Sequence, residues 1–253
     1  MIGDYVGPAN AWPLSVWIGY EPRELDALVV ARTSLARRSS INVPVRSVIL
    51  SDLERDGLYR RRTRRNNGFM VDVISDAPMS TEFAISRFLT PLLAGGKGWA
   101  LFMDCDMLVR ADIAELFALA DPSKAIMCVK HLHVPDETTK MDAQEQTRYF
   151  RKNWSSVMLF NCEHPANAAL TVDLINRVPG RDLHRFCWIE DGLIGELPPE
   201  WNHLVGYSGQ PDTDPKIVHF TKGTPTQIGN RMPYADEWHE ELLRWVRGEH
   251  PRQ

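Results

Sequence analysis

An α/β fold with a mostly parallel central sheet flanked by helices is predicted by two observations. The first is Gly98-Trp99-Ala100-Leu101-Phe102-Met103-Asp104-Cys105-Asp106-Met107-Leu108-Val109, an apolar run broken only by two carboxylates and bounded by Gly95-Gly96. A run of this kind fits a strand buried on both faces of a parallel sheet. The second is the opening of the chain. Residues 14–20 read as a strand, Glu21-Pro22 starts a helix to about Arg38 with Leu25, Leu28, Val29 and Leu35 on one stripe, and residues 43–50 form a second strand. Strand, helix and strand in this order imply a right-handed crossover and a Rossmann-like half.

Further along, residues 51–78 show little apolar periodicity and contain Tyr59-Arg60-Arg61-Arg62-Thr63-Arg64-Arg65. That run reads as a solvated face partly neutralised by Asp52, Glu54 and Asp56, with phosphate or anionic lipid contact as the alternative. Ser80-Thr81-Glu82-Phe83 begins a capped helix that buries Phe83, Phe88, Leu89, Leu92 and Leu93 and stops at Gly95-Gly96. Residues 111–119 form a short helix, 125–130 a strand, 131–153 a polar segment, and 154–160 a strand ending at Asn161. Pro165 opens a helix to about Val178, closed by Pro179-Gly180, and residues 216–223 hold a late short strand. Trp238, Leu242, Trp245 and Val246 recur at helical spacing through residues 236–247. The expected organisation is one domain over residues 1–230, with residues 231–253 an amphipathic helix packed on it or on a partner.

Composition narrows the classes. A chain of 253 residues, 43% apolar and 25% charged, is ordinary globular material, and its net charge of −4 gives no pull towards nucleic acid. No apolar run reaches membrane-spanning length, and Met1-Ile2-Gly3-Asp4 lacks the basic-then-apolar layout of a signal peptide, so a cytoplasmic location is expected. Cys105, Cys128, Cys162 and Cys187 are widely spaced with no CxxC pair, against a zinc knuckle or a disulfide framework. Cys105 is expected to pack.

Ligands of open α/β sheets gather at the carboxyl ends of strands. Asp104 and Asp106, two positions apart, share a side if the strand continues through them. Adjacent carboxylates repel unless a cation lies between them, and hard divalent metals take oxygen ligands of this kind; a loop with two solvated acids is the plain alternative. Gly19-Tyr20-Glu21 ends another strand, where the Tyr20 ring could stack on a base or finish the core. Arg87 falls beside an apolar stripe, and a buried guanidinium needs an anionic partner, either the aspartates or a phosphate. Glu190-Asp191 is a second acidic pair, and His219 and Lys222 lie at the end of the late strand.

The order of these pieces resembles the retaining glycosyltransferases of the GT-A fold, in particular family 8, the glycogenin and lipooligosaccharide galactosyltransferase group. The likeness rests on Val16-Trp17-Ile18-Gly19-Tyr20, Ser86-Arg87-Phe88-Leu89, Phe102-Met103-Asp104-Cys105-Asp106 and Ser156-Val157-Met158-Leu159-Phe160-Asn161. It continues through Glu190-Asp191 followed by Trp201-Asn202, and Val218-His219-Phe220-Thr221, covering roughly residues 14–225. It implies that Asp104 and Asp106 are the metal-binding Asp-x-Asp, Asp104 also lying near the ribose, with His219 the third protein ligand of manganese or magnesium. It implies that Arg87 approaches the nucleotide-sugar and that Asp191 faces the transferred sugar; Gly19 and Tyr20 are candidates for the nucleotide from their place at a strand end, and Glu190 stands with Asp191 as a candidate catalytic acid. The sequence departs from the family where Lys222 precedes Gly223 without the usual Gly-x-x-Lys-Pro-Trp, which bears on Lys222 as a diphosphate ligand. It departs again at Gly192, where a polar residue commonly follows the second acid.

The implied activity is metal-dependent, retaining transfer of a sugar from a nucleoside diphosphate donor, UDP in the first instance, to a carbohydrate, lipid or protein acceptor. Attack from the leaving-group face and a covalent intermediate on Glu190 or Asp191 both remain open. No nucleic acid partner is expected, and at most weak peripheral membrane contact. Two other readings stand beside it: a haloacid dehalogenase-like phosphatase with Asp104 as nucleophile and Glu190-Asp191 completing a magnesium site, and a nucleotide-sugar binding protein without transfer.

Overall fold

The computed structural model describes residues 13–66, 68–131, 154–209 and 212–249. The N-terminal residues read above for targeting and nearly all of the polar segment 131–153 lie outside these. The chain opens with β1 (Leu14–Gly19), a 3-10 turn (Pro22–Glu24), α1 (Leu25–Arg38) and β2 (Val45–Val48), close to expectation. The second strand is shorter than predicted because Leu50 starts α2 (Leu50–Arg55), which buries Leu50 and Leu53.

A small antiparallel sheet that the sequence did not announce follows: β3 (Thr63–Asn66), β4 (Phe69–Asp72) and β5 (Ala77–Met79). It divides the arginine run. Arg61 is buried, with Nη2 2.6 Å from Asp72 Oδ2 and Nη1 donating to the Ile175 and Val178 carbonyls, while Arg62, Arg64 and Arg65 are exposed. The helix expected from Ser80 is instead a 3-10 turn (Ser86–Leu89) leading into the single-turn α3 (Thr90–Leu93), with Pro91 in its first turn.

The apolar run is not one strand. It forms β6 (Trp99–Met103), entirely buried, then bends and continues as β7 (Met107–Val109) in a different sheet. Gly98 enters β6 at φ +63°, where an added Cβ would meet the Pro13 carbonyl oxygen at 2.0 Å. Next come α4 (Ile113–Phe117), capped by Asp112, β8 (Ile126–Cys128) and β9 (Val157–Asn161). The helix predicted over 165–178 is split into a 3-10 turn (Pro165–Ala169) and α5 (Val172–Ile175), because Thr171 caps a fresh start by accepting from the Leu174 amide. The remaining elements are α6 (Gly180–His184), β10 (Ile194–Glu196), β11 (His203–Leu204), β12 (Ile217–His219), α7 (Pro225–Ile228) and α8 (Ala235–Val246).

The central six-stranded sheet has the order β10-β8-β9-β6-β1-β2 and is parallel except for β9, which runs against both neighbours. A second sheet, β11-β12-β7, pairs β12 antiparallel to β7 and parallel to β11. The tail helix α8 packs on α1: Trp238 is buried edge-on against Phe220, and buried Glu241 pairs with Arg37 and Arg38.

Candidate active site

The two acids sit on the seam between the sheets. The Asp104 amide donates to the Ser156 carbonyl (3.0 Å), continuing the β6–β9 ladder, and the Phe220 amide donates to the Asp106 carbonyl (2.9 Å), continuing β7–β12. The chain therefore bends between them rather than running extended, with Cys105 fully buried. His219 ends β12 directly opposite Met107, so the same ladder that turns the chain delivers the imidazole. Its Nε2 lies 3.2 Å from Asp106 Oδ1 and 3.9 Å from Asp104 Oδ2.

Asn202 sets the ring. Its Nδ2 donates to Ser156 Oγ (2.9 Å), so its Oδ1, 3.1 Å from His219 Nδ1, faces the imidazole as acceptor. That arrangement keeps the proton on Nδ1 and leaves Nε2 aimed at the acids, as a metal-ligating histidine requires.

Arg87 is held from three sides. Its guanidinium lies over the rings of Phe83 and Phe102, 5.1 Å from each centroid, Nη1 is 2.8 Å from Asp104 Oδ1, and Nη1 donates to the Ser155 carbonyl (2.8 Å). Gly19 makes this possible, since a Cβ there would lie 2.5 Å from the Phe83 ring.

Burial pushes the Asp104 carboxyl up to about 6 against the pull of Arg87 and His219. Burial acts on Asp106 in the same sense, yet the adjacent His219 holds it below the usual carboxylate range. Burial opposes charge on His219 too, and the two aspartates outweigh it and raise the imidazole. Burial and Asp106 raise Glu24, whose carboxylate takes Gln227 Nε2 (3.2 Å). These groups line a cavity of about 380 Å³ together with Thr81, Ser155, His184 and Thr221.

In this wall the buried hydroxyls of Thr81 and Thr221 have no hydrogen bond among the described residues, and the buried Asp104 Oδ1 and Asp106 Oδ1 have their ion-pair contacts to Arg87 and His219 but no well-aligned hydrogen bond. The ligand atoms of Asp104, Asp106 and His219 all lie within 4.8 Å of one another. Two carboxylates and one imidazole with acceptor capacity to spare fit a divalent ion.

The other predicted residues stand elsewhere. Glu190 and Asp191 are exposed before β10 and are not on the cavity wall, and the Gly192 carbonyl accepts from Lys124. Tyr20 is half-buried and packs against the core, its amide donating to the Val48 carbonyl. Lys222 Nζ donates to the Gly206 carbonyl (2.9 Å), lies over the Tyr207 ring and lines a separate cavity. Glu24, Ser155 and His184 carried no signal in the sequence; Asn202 did, as part of Trp201-Asn202.

No family model matches the chain. Protein CDI of Arabidopsis thaliana is 44% identical over 241 residues, covering 93% of this chain and 88% of that protein. The chain belongs to the family of Protein CDI. Alongside Protein CDI, General stress protein A of Bacillus subtilis is 26% identical over 167 residues, 54% of this chain and 56% of that protein. Among solved structures, the WbbM bifunctional glycosyltransferase superposes with a TM-score of 0.61 at 14% identity, over 95% of this chain and 51% of its own. GlyE of Streptococcus pneumoniae gives 0.56 at 15% identity, with 94% and 64% covered. An active-site mutant of LgtC gives 0.55 at 13% identity, with 94% and 97% covered. The chain thus spans about half of the WbbM chain and under two thirds of GlyE. What is shared at these identities is the fold, the Rossmann-like GT-A arrangement of glycosyltransferases.

Proposed function

We propose that this chain is a metal-dependent glycosyltransferase of the retaining, family 8-like kind, moving a sugar from a nucleoside diphosphate donor, UDP-linked, to a carbohydrate, lipid or protein acceptor. The observation that carries the reading is the meeting of Asp104, Asp106 and His219 in one cavity with Arg87. Manganese or magnesium would be held by these three side chains and would neutralise charge on the departing diphosphate as a Lewis acid. The protein's own contribution is fixed charge and orientation. The guanidinium of Arg87 is held in place by its two aromatic neighbours, so it meets developing negative charge without rearranging. Asn202 keeps Nε2 of His219 turned to the acids.

Glu190 and Asp191 are exposed and are not among the residues that line this cavity. This favours attack on the leaving-group face, a diphosphate oxygen taking the acceptor's proton, over a covalent intermediate on either acid. It also weighs against the phosphatase reading, which needs that pair beside Asp104. Among the described residues no helix is long and apolar enough to cross a membrane, and the reading places the protein in the cytoplasm with at most peripheral membrane contact.

The test is calorimetry and thermal unfolding with UDP-glucose, UDP-galactose, UDP-xylose and UDP-N-acetylglucosamine, with and without manganese, together with assay of UDP release. Manganese-dependent binding of at least one, with slow UDP release, is the expected result. Binding without release or transfer supports the non-catalytic binding protein; no binding of any donor overturns the proposal.

A further inference from the structure

His184, at the end of α6, is half-buried against the Phe88 ring, whose centroid lies 5.2 Å away edge-on. With Ser155 Oγ occupying the in-plane position of Nδ1 at 2.7 Å, the Ala84 backbone, which favours a protonated ring nitrogen, is left to Nε2, so the N–H is assigned to Nε2. Burial and the nearby Arg87 charge hold the imidazole neutral, pushed down to about 3. A neutral imidazole has one donor and one acceptor, and the donor is committed to Ala84. Nδ1 is therefore an acceptor, and Ser155 Oγ, 2.7 Å away, donates to it. This leaves the Ser155 oxygen with lone pairs and no free proton. Ser155 is 5% exposed and lies on the cavity wall, and its carbonyl is the one that receives Arg87 Nη1. Hydroxyl groups usually rotate to donate or accept as a ligand demands; this one has its polarity fixed.

We propose that Ser155 and His184 form a hydroxyl-reading pair for the donor sugar, with Ser155 Oγ accepting a hydrogen bond from one sugar O–H and His184 as the positioning residue that orients it. The proposal deepens the glycosyltransferase reading and rests on it. It makes the site selective for a sugar carrying a donor at that position. A site built to hydrogen-bond a hydroxyl rejects an analogue lacking the proton, because the buried acceptor is left unpaired.

The test uses fluorine, which replaces a hydroxyl at similar size and cannot donate. Dissociation constants are measured by calorimetry, in manganese, for the UDP-sugar that the wild type binds best and for its 2-, 3-, 4- and 6-monodeoxyfluoro analogues. The wild type is expected to bind one analogue roughly 10- to 100-fold more weakly than the parent. Ser155→Ala is expected to bind that analogue and the parent within about twofold of each other, while Ser155→Thr, which keeps the hydroxyl, retains the discrimination. Should Ser155→Ala fail to fold, Ser155→Cys serves, since its thiol still offers Nδ1 a weak donor but is a poor acceptor. It too should lose the discrimination. Discrimination unchanged in these variants, or absent in the wild type, overturns the pair's role while leaving donor binding intact. A wild type that binds no UDP-sugar overturns the glycosyltransferase reading, and this inference with it.

Discussion

Asp106→Asn is the most direct perturbation of the seam. In the metal-free protein the carboxylate attracts His219, 3.2 Å away, and repels Asp104 and Glu24. Its removal strands no charge, because His219, raised against burial by the aspartates, loses that support with Asp106 and can be neutral. The metal-free melting midpoint should therefore move by only a few degrees. The effect of manganese should change far more. With 1 mM manganese and a dissociation constant of about 10 µM, binding stabilises the folded state by about 2.7 kcal/mol, roughly 5–10 °C for a domain of this size. Replacing a charged ligand by a neutral one, taken as at least the roughly hundredfold loss seen at the upper end for mere supporting residues, leaves about 0.4 kcal/mol, about 1 °C. Differential scanning fluorimetry across a manganese titration reads this, with exposed Asp191→Asn as the control that keeps the full shift. A variant at 106 that keeps the wild-type shift would refute the assignment of the metal to this seam.

Three further outcomes follow from the same geometry. Asn202→Ala deprives His219 Nδ1 of its acceptor and should weaken manganese binding about 10- to 100-fold, read by competition with a metallochromic chelator. Gly19→Ala puts a methyl 2.5 Å from the Phe83 ring, so urea unfolding should show a loss of about 1–3 kcal/mol, with weaker donor binding as Arg87 loses its seat; an unchanged midpoint argues against that packing. His184 and His131 are pushed down to about 3 and about 4, so the unfolded chain takes up protons below pH 6.5 that the folded chain refuses, and stability is lost as pH falls. Asp104, raised to about 6, works the other way below that pH and cancels one of the two, while His219, raised, contributes fully below pH 6.5. His203, also lowered, adds to the two histidines, and Glu24 and Glu82, raised, side with Asp104; the metal-free protein is expected to lose stability on balance between roughly pH 6 and 4, and a melting midpoint that rises on acidification contradicts it.

The parts of the fold governed by strand burial were legible: β1 and β6 are apolar runs with abrupt ends, β6 ending in two acids, while the strand order and the antiparallel β9 were not. What escaped was set by partners distant in sequence. The bend after Met103 exists because Asp104 is claimed by β9 and Asp106 by β12, and a local pattern of apolar residues looks the same whether one sheet or two receive it. Arg61 could not be told from its neighbours in a run of arginines, since its burial depends on Asp72 and on carbonyls at Ile175 and Val178. Arg87 needed an anion by the logic of buried charge, and it has Asp104. Gly19, expected at the nucleotide from its place at a strand end, has a packing role the sequence does not show, under Phe83 and behind Arg87. Ser155 and His184 are ordinary residues whose meaning comes only from a 2.7 Å contact across the cavity wall.

The charges on the wall suggest why one ligand should depend on another. Glu24, Asp104 and Asp106 bring three carboxylates, against the guanidinium of Arg87 and an imidazole that carries charge only while those acids hold its proton. A nucleoside diphosphate approaching alone meets a surplus of its own sign in a partly dehydrated cavity, where such repulsion is screened least. A divalent cation taking His219 Nε2 would displace that proton, raise the net charge of the wall by one and so cancel the surplus, and would offer the diphosphate oxygens a direct positive partner. Donor and metal affinities must then be coupled, and coupling is reciprocal: manganese should tighten UDP binding by the factor by which UDP tightens manganese. Calorimetric titrations run in both orders measure the two factors independently. UDP binding that is tight and indifferent to manganese would mean that the nucleotide sits elsewhere on the molecule, away from Asp104 and Asp106.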